Sequence, residues 1–400
     1  MSKLEELIKE LCPDGVEYET LGELGKFFGG LTGKSKGDFT DGNATFITYK
    51  NVYSNPSLNI NPDDTVKIAE GENQRTLEYG DVVFTGSSET PDECGFSSIV
   101  TKKPEKPLYL NSFCFFFRFD DIRIIKPDFA KHLFRSQRLR YQIGKTASGV
   151  TRFNVSKDKM AKVIIPLPPL PVQEEIAHVL DNFTELTAEL TAELTAELTA
   201  RKKQYEHYRD SLLSNGTNVP MKRLGDTCSM KSGKAIKSAM LSEVKDAEHP
   251  HPCLGGNGIR GYIAELSHRG DYPIIGRQGA LCGNVNYATG VFYATEHAVV
   301  VESLGEYEQR YLFYLLTAMN LNQYKSQGAQ PGLAVGNIEN LVASVPSLEQ
   351  QRKVTKMLDR FDTLCNDITQ GLPAEIEARQ KQYEYYRDKL LTFPKVKLEV

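Results

Sequence analysis

The chain has 400 residues, 40% of them hydrophobic and 25% charged, with a net charge of -4. That length exceeds one ordinary core and calls for two domains, and no apolar run approaches the roughly 18 residues of a membrane span, so a soluble, cytoplasmic protein without a membrane partner is expected. Seven cysteines, an odd number without a CxxC pair, argue against a disulfide scaffold or a zinc ribbon.

Residues 1–19 open with MSKLEELIKEL, whose Leu4, Leu7, Ile8 and Leu11 form a helical stripe interrupted by acids, unlike the plain apolar stretch of a signal peptide. Residues 20–165 read as a first mixed domain, with DVVFTG and LNSFCFFFRF as strands. Between Arg123 and Lys162 eleven Lys or Arg face only Asp128 and Asp158. Such a run is either a solvated helix face or a stripe able to engage several phosphates. Residues 170–214 then form a first long helix containing TELTAELTAELTAELTA. A second mixed domain follows over 219–345, with YPIIGRQG and HAVVVES as strand signals, and a second long helix over 348–392.

The sequence contains itself twice. At a shift of 178 residues, LPVQEEIAHVLDNF from Leu170 falls on LEQQRKVTKMLDRF from Leu348, and ARKKQYEHYRDSLLS from Ala200 falls on ARQKQYEYYRDKLLT from Ala378, without a gap. Leu186, Leu190, Leu194 and Leu198 thereby face Leu364, Ile368, Leu372 and Ile376. An apolar residue every fourth position makes a helical seam that drifts by about 40° per unit. A weaker echo pairs VEYETLGEL from Val16 with VPMKRLGDT from Val219. Chain order predicts that the two helices pair antiparallel, the first roughly 65 Å long at 1.5 Å per residue. Gly371-Leu372-Pro373 predicts a kink in the second, or a restart near Ala374. The fold class is therefore α+β: two globular domains separated by an antiparallel pair of long coiled-coil helices, with internal pseudo-twofold duplication.

This layout, the closing QYxxYRDxLL segments, the IPLPPLPVQEE entry into the first long helix and the TAEL tandem resemble the specificity subunit of Type I restriction-modification enzymes. The resemblance covers nearly the whole chain and is most specific in the helical segments. It implies two target recognition domains, each reading one half of a split double-stranded DNA site, with the paired helices as ruler and docking surface for two methyltransferase subunits. Restriction and translocase subunits would join that core. S-adenosylmethionine, ATP and magnesium are then expected on the partner subunits, none on this chain. A TAEL unit adds about 6 Å of helix against about 3.4 Å per base pair, so one unit would shift the tolerated gap by a small whole number of base pairs, one by family resemblance.

Candidate DNA contacts lie in loops, because no helix-turn-helix, zinc finger or basic zipper is evident. TASGVTRFN (146–154) and QGAQPGLAVGN (327–337) occupy corresponding places before the long helices and are expected to face the duplex. Lys145, Arg152 and Lys157 in the first domain, and Arg277, Gln278 and Gln330 in the second, are the chosen contacts, arginine suiting guanine or phosphate and glutamine suiting adenine. GRQGALCG (276–283) fits close approach to a ligand or an ordinary tight turn. TGSSETPDECG (85–95) offers Ser87, Ser88 and Glu89 to base edges, although a plain loop is the favoured reading. Tyr205, Tyr208, Tyr383 and Tyr386, with Arg209 and Arg387, are either packed between helices or offered to a partner chain.

Other motifs carry less. Gly256, Gly258 and Gly261 spell GxGxxG but lack the preceding strand of a nucleotide site. His249, His251 and Cys253 lack an obvious fourth metal ligand. No Walker loop, NPPY-like tetrapeptide or nuclease motif appears, so a noncatalytic recognition subunit is expected. The alternative is an intracellular two-headed coiled-coil scaffold without a DNA role.

Overall fold

The computed structural model describes residues 2–214, 219–279, 281–326, 331–366 and 371–396. It divides into two compact units, residues 1–192 with 377–400 and residues 193–376. Each unit therefore holds one mixed domain plus segments of both long helices.

In unit 1 the strands Gly25–Gly29, Cys114–Phe119, Val82–Thr85 and Ser97–Ile99 form an antiparallel sheet in that order. The central strand, CFFFRF, is almost wholly buried, as a strand covered on both faces must be. A second sheet pairs Ala44–Ile47 with Leu108–Leu110 in parallel and with Thr65–Val66 antiparallel. The N-terminal helix Lys3–Leu11 is no mere lead-in: Leu4 and Val16 are buried in one core with Ile176, Leu180, Leu391 and Phe393.

Unit 2 repeats this plan with different residues. Cys228–Ser232, Ala298–Ser303, Tyr272–Gly276 and Val285–Ala288 form its antiparallel sheet in the same relative order. Its second sheet likewise contains one parallel pair, Cys253 with Tyr293. Short helices at Leu21–Leu24 and Leu224–Thr227 begin alike: Leu21 N–H donates to Val163 O at 2.9 Å, and Leu224 N–H to Leu341 O at 2.8 Å. Contrary to the sequence reading, a strand, His251–Gly255, does precede the GxGxxG glycines, but Gly256 lies in a hairpin turn and Gly258 and Gly261 in the return strand Gly258–Ile263, so the motif forms a β-hairpin and not the strand-to-helix turn of a nucleotide site.

One glutamine fixes each domain to its long helix. Gln173, fully buried, accepts from Lys126 N–H at 2.8 Å and donates to Ile124 O at 2.9 Å and Pro168 O at 2.7 Å. Gln351, at the same place in the second copy, accepts from Glu308 N–H at 2.7 Å and donates to Glu306 O at 2.9 Å and Pro346 O at 2.8 Å. Two turns on, an aspartate holds the helix that follows. Asp181 meets His132 Nε2 at 2.7 Å and Lys131 on helix Pro127–Leu133. Asp359 meets Tyr314 Oη at 2.6 Å and Arg310 Nε at 2.8 Å on helix Gln309–Ala318.

The first long helix is continuous over Leu170–Leu213, 44 residues. The second is described as Leu348–Asn366 and Leu372–Leu390. It restarts two residues before the expected Ala374, because proline is tolerated in a first helical turn, where its missing N–H has no partner to lose. Helix pairing follows the antiparallel order within each unit. In unit 1 the early residue Phe183 lies 5.7 Å from the late Tyr386 between ring centroids, and in unit 2 Tyr208 lies 5.7 Å from Phe361. The leucine seam is only partly inward. Leu190, Leu194, Leu198, Leu372 and Ile376 are half-buried, whereas the equivalent Leu186 and Leu364 are 63% and 37% exposed. A four-residue spacing overshoots one turn, so some members of the row rotate outward. Ile368 lies outside the described residues.

Replacing either glutamine strands three buried backbone groups. Gln173→Leu and Gln351→Leu should each destabilise the chain by about 3 kcal/mol in urea unfolding, and a change below about 0.5 kcal/mol at both would contradict the anchoring role. The two docked helices should also differ in their response to acid. Burial lowers the pKa of His132 below its ordinary value, against the pull of Asp181. Burial pushes Asp181 up, but hydrogen bonds from His132 and Lys131 outweigh it and leave the carboxyl low. The unfolded chain then takes up protons first, so stability present above about pH 6.5 is lost as pH falls. Tyr314, raised by burial and by its bond to Asp359, stays neutral throughout that range. Hydrogen exchange at pH 5.5 against 7.5 should show protection lost over residues 127–134 and kept over 309–318; equal loss in both would refute the assignment.

Candidate nucleic-acid interface

Each domain gathers the loops singled out in its sequence, and it does so in the same way. In unit 1 the strand Val82–Thr85 ends at Gly86, which donates its N–H to Phe113 O at 2.8 Å and accepts from Val155 N–H at 3.0 Å. A Cβ on Gly86 would lie 2.6 Å from that Phe113 oxygen, so close approach requires glycine. The following Ser87–Ser88 pairs with Phe153 and Asn154, and Phe153–Val155 folds back on Ala147–Ser148. Three segments are thus knitted into one mouth: 86–88, 111–113 and 152–155.

Arg152 donates from Nε and Nη2 to Ser87 Oγ at 3.1 and 2.8 Å, and its guanidinium carbon lies 5.7 Å from the Phe113 ring centre. Ser87 is itself buried, so it orients the arginine and is not the group offered outward. Beside it opens a cavity of about 670 Å³ whose lining includes Tyr49, Tyr53, Glu89, Phe113 and Arg152. An adjoining cavity of about 470 Å³ adds Lys157, whose ammonium lies 5.6 Å from the Phe115 ring centre. The structure therefore brings Ser87, Ser88, Glu89, Arg152 and Lys157 together. Lys145 stands apart from both cavities, its ammonium 4.4 Å from the Tyr141 ring centre. Sequence reasoning passed over Val150, at the tip of this hairpin and 93% exposed.

The basic run over 123–162 is not one phosphate-facing stripe. Arg135 donates to the carbonyls of Ser97, Val52 and Tyr53, and Arg140 to those of Gly95, Asp92 and Cys94. Burial brings both guanidinium pKa values down to about 10. Arg123 pairs with Asp121, Lys131 with Asp181, and Arg138 donates to Tyr18 Oη. Five of its eleven basic residues are thereby committed to contacts within the fold. A charge count along a helix cannot see carbonyls supplied by a distant loop.

In unit 2 the strand Tyr272–Gly276 ends at Arg277, which donates its N–H to His297 O at 2.9 Å and accepts from Leu333 N–H at 2.8 Å. Gln278 bridges to Gly332. Segments 277–279, 295–297 and 331–333 are knitted as 86–88, 111–113 and 153–155 are in unit 1. Arg277 stands at the place of Gly86 and exposed Gln278 at the place of Ser87. Arg277 Nη1 lies 3.4 Å from Ser232 Oγ. Gln330 lies outside the described residues. Among the described residues no three His, Cys, Asp or Glu come together as metal ligands, and His249 is bonded to Asp246.

The doubled tyrosine clusters are used first within the chain. Tyr205 packs on the unit 2 core, and burial pushes its pKa to about 12. Tyr383 Oη lies 3.1 Å from Thr184 Oγ1. Arg209 and Arg387 pair with their neighbours Asp210 and Asp388 and lie over Tyr205 and Tyr383. What remains outward is the edge of Tyr208, 43% exposed, and of Tyr386, 39% exposed.

Among the described residues no helix is long and apolar enough to cross a membrane. The family description "Type I restriction modification DNA specificity domain" matches residues 13–200 and 217–378. The chain is 51% identical over 227 residues to the Type I restriction enzyme EcoprrI specificity subunit of Escherichia coli, covering 54% of this chain and 57% of that subunit. It is 32% identical over 246 residues to the putative type I specificity subunit S.MpnORF201P of Mycoplasma pneumoniae, covering 58% of this chain and 98% of the relative. A solved structure from work on complex assembly and conformational transition of the type I R-M system shares the fold with a TM-score of 0.69 at 17% identity, over 95% of this chain and 98% of that one. The HsdS subunit from Thermoanaerobacter tengcongensis aligns with a TM-score of 0.54 at 17% identity, over 95% and 96% of the two chains. With the family match running twice along its length, over the two domains that build equivalent mouths, this chain belongs to the Type I restriction-modification DNA specificity family.

Proposed function

We propose that the chain is the DNA-recognising, noncatalytic subunit of a Type I restriction-modification complex, reading an asymmetric two-part site in double-stranded DNA. One observation carries this reading: the same three-segment mouth occurs in both domains, lined by unlike side chains. An identical frame with different chemistry is what two different half-sites require. In unit 1 Arg152, aimed by Ser87, and Lys157 contact guanine or phosphate; in unit 2 Arg277 and Gln278 contact guanine and adenine. Lys145 and Gln330 complete the proposed contacts.

The helical stretch containing the TAEL units sets the gap between half-sites. Two methyltransferase subunits dock on the two equivalent tyrosine-edged helix faces, at Tyr208 with Leu364 and Tyr386 with Leu186, where exposed apolar surface remains. Restriction and translocase subunits join through them, in the cytoplasm. S-adenosylmethionine, ATP and magnesium belong to those partners, as do methylation and cleavage.

The ruler is tested by deleting Thr187 to Leu190, about 6 Å of helix. Methylated sites mapped by long-read sequencing should keep both half-site sequences and shorten the gap by a small whole number of base pairs. An unchanged gap would refute it.

A further inference from the structure

The middle segment of each mouth was not among the recognition loops evident in the sequence, yet it hangs from equivalent bonds in both units. Asn111 N–H donates to Ile47 O and Thr295 N–H to Leu254 O, both at 2.9 Å. Cys114 N–H donates back to Asn111 O at 3.1 Å, and Ala298 N–H to Thr295 O at 3.0 Å. Gly30 and Gly233 lie against these turns so closely that a Cβ would fall 2.2 Å from Asn111 O and 2.0 Å from Ala294 O. The turns are therefore fixed by backbone, and their side chains are free to differ.

They differ sharply. Unit 1 presents Phe113, 58% exposed, with the Arg152 guanidinium over its ring. Unit 2 presents Glu296 and His297, about a third exposed, with His297 Nε2 3.2 Å from Glu296 Oε1. His297 Nδ1 and Glu296 Oε2 are buried and have no hydrogen-bond partner among the described residues, so only Oε1, beside His297 Nε2, can meet a base. A phosphate offers nothing to a phenyl ring and repels a carboxylate. Base edges accept both: a thymine methyl packs on an apolar ring, and a cytosine amino group donates to a carboxylate.

Resting on the DNA-reading function above, we propose that these turns carry base-specifying side chains: Phe113 packs on a thymine methyl in one half-site, and Glu296, held by His297, accepts from a cytosine amino group in the other. Arg152 and Arg277 make their contacts beside these turns, and each turn adds the choice of one further base.

The test uses the chain assembled with its methyltransferase subunits on a random-sequence DNA library, with methylated sites read by sequencing. F113A should relax thymine preference at one position of one half-site by about tenfold, leaving the other half-site unchanged. Replacing that thymine by deoxyuridine should slow methylation by the wild type and not by F113A. F113L, which keeps an apolar contact, should retain the preference, and E296A should relax one position of the opposite half-site only. Unaltered motifs in F113A and E296A, or a uniform fall in methylation with base preference intact, would overturn the inference. A wild-type complex that methylates no two-part motif would overturn the function itself, and this inference with it.

Discussion

A buried glutamine at the entry to each long helix is the interaction on which the rest depends. A helix start leaves backbone groups without partners, and a segment packed across it leaves more. Gln173 and Gln351 each satisfy one N–H and two carbonyls from two directions, with both side chains fully out of water. Only a side chain with a donor and an acceptor at that length can do so, which makes the position intolerant of apolar substitution. From this fixed point the helices Pro127–Leu133 and Gln309–Ala318 take their places, secured by Asp181 and Asp359.

Anchored in this way, a domain is free to vary elsewhere. The sheet order, the short helix after the first strand and the three-segment mouth recur while few side chains at the mouth are shared. Serine, phenylalanine and arginine line one; arginine, glutamine, glutamate and histidine line the other. Backbone hydrogen bonds and closely packed glycines carry the geometry, so the side chains lining the mouths are free to differ. This separation of frame from lining explains how one sequence can hold two domains with equivalent mouths and little visible similarity.

The duplication of the helices was legible because a 178-residue shift aligns them without a gap, and the helix start at Leu372 fits Pro373, which is tolerated in a first helical turn. The loops at 85–95, 146–154 and 276–283 were legible as polar and glycine-rich. Their convergence was not, since Ser87 meets Asn154 and Gln278 meets Gly332 only through strand pairing across the chain. The turns at 111–113 and 295–297 carried no turn signal: Phe113 and His297 fall inside the segments LNSFCFFFRF and HAVVVES, both read as strands. The basic run misled for the converse reason, because Arg135 and Arg140 spend their charge on carbonyls supplied by remote loops. The tyrosine clusters stood between two readings, and the helix pairing claims Tyr205 and Tyr383 while leaving the edges of Tyr208 and Tyr386 outside.

Two equivalent frames with unlike chemistry imply two unlike sequences read at once. Selection of duplexes from a random library by the assembled complex, at fixed salt, measures this directly. Retained DNA should contain two dissimilar short motifs separated by a constant stretch of unspecified sequence. A single contiguous motif, two identical half-sites, or retention without sequence preference would contradict it.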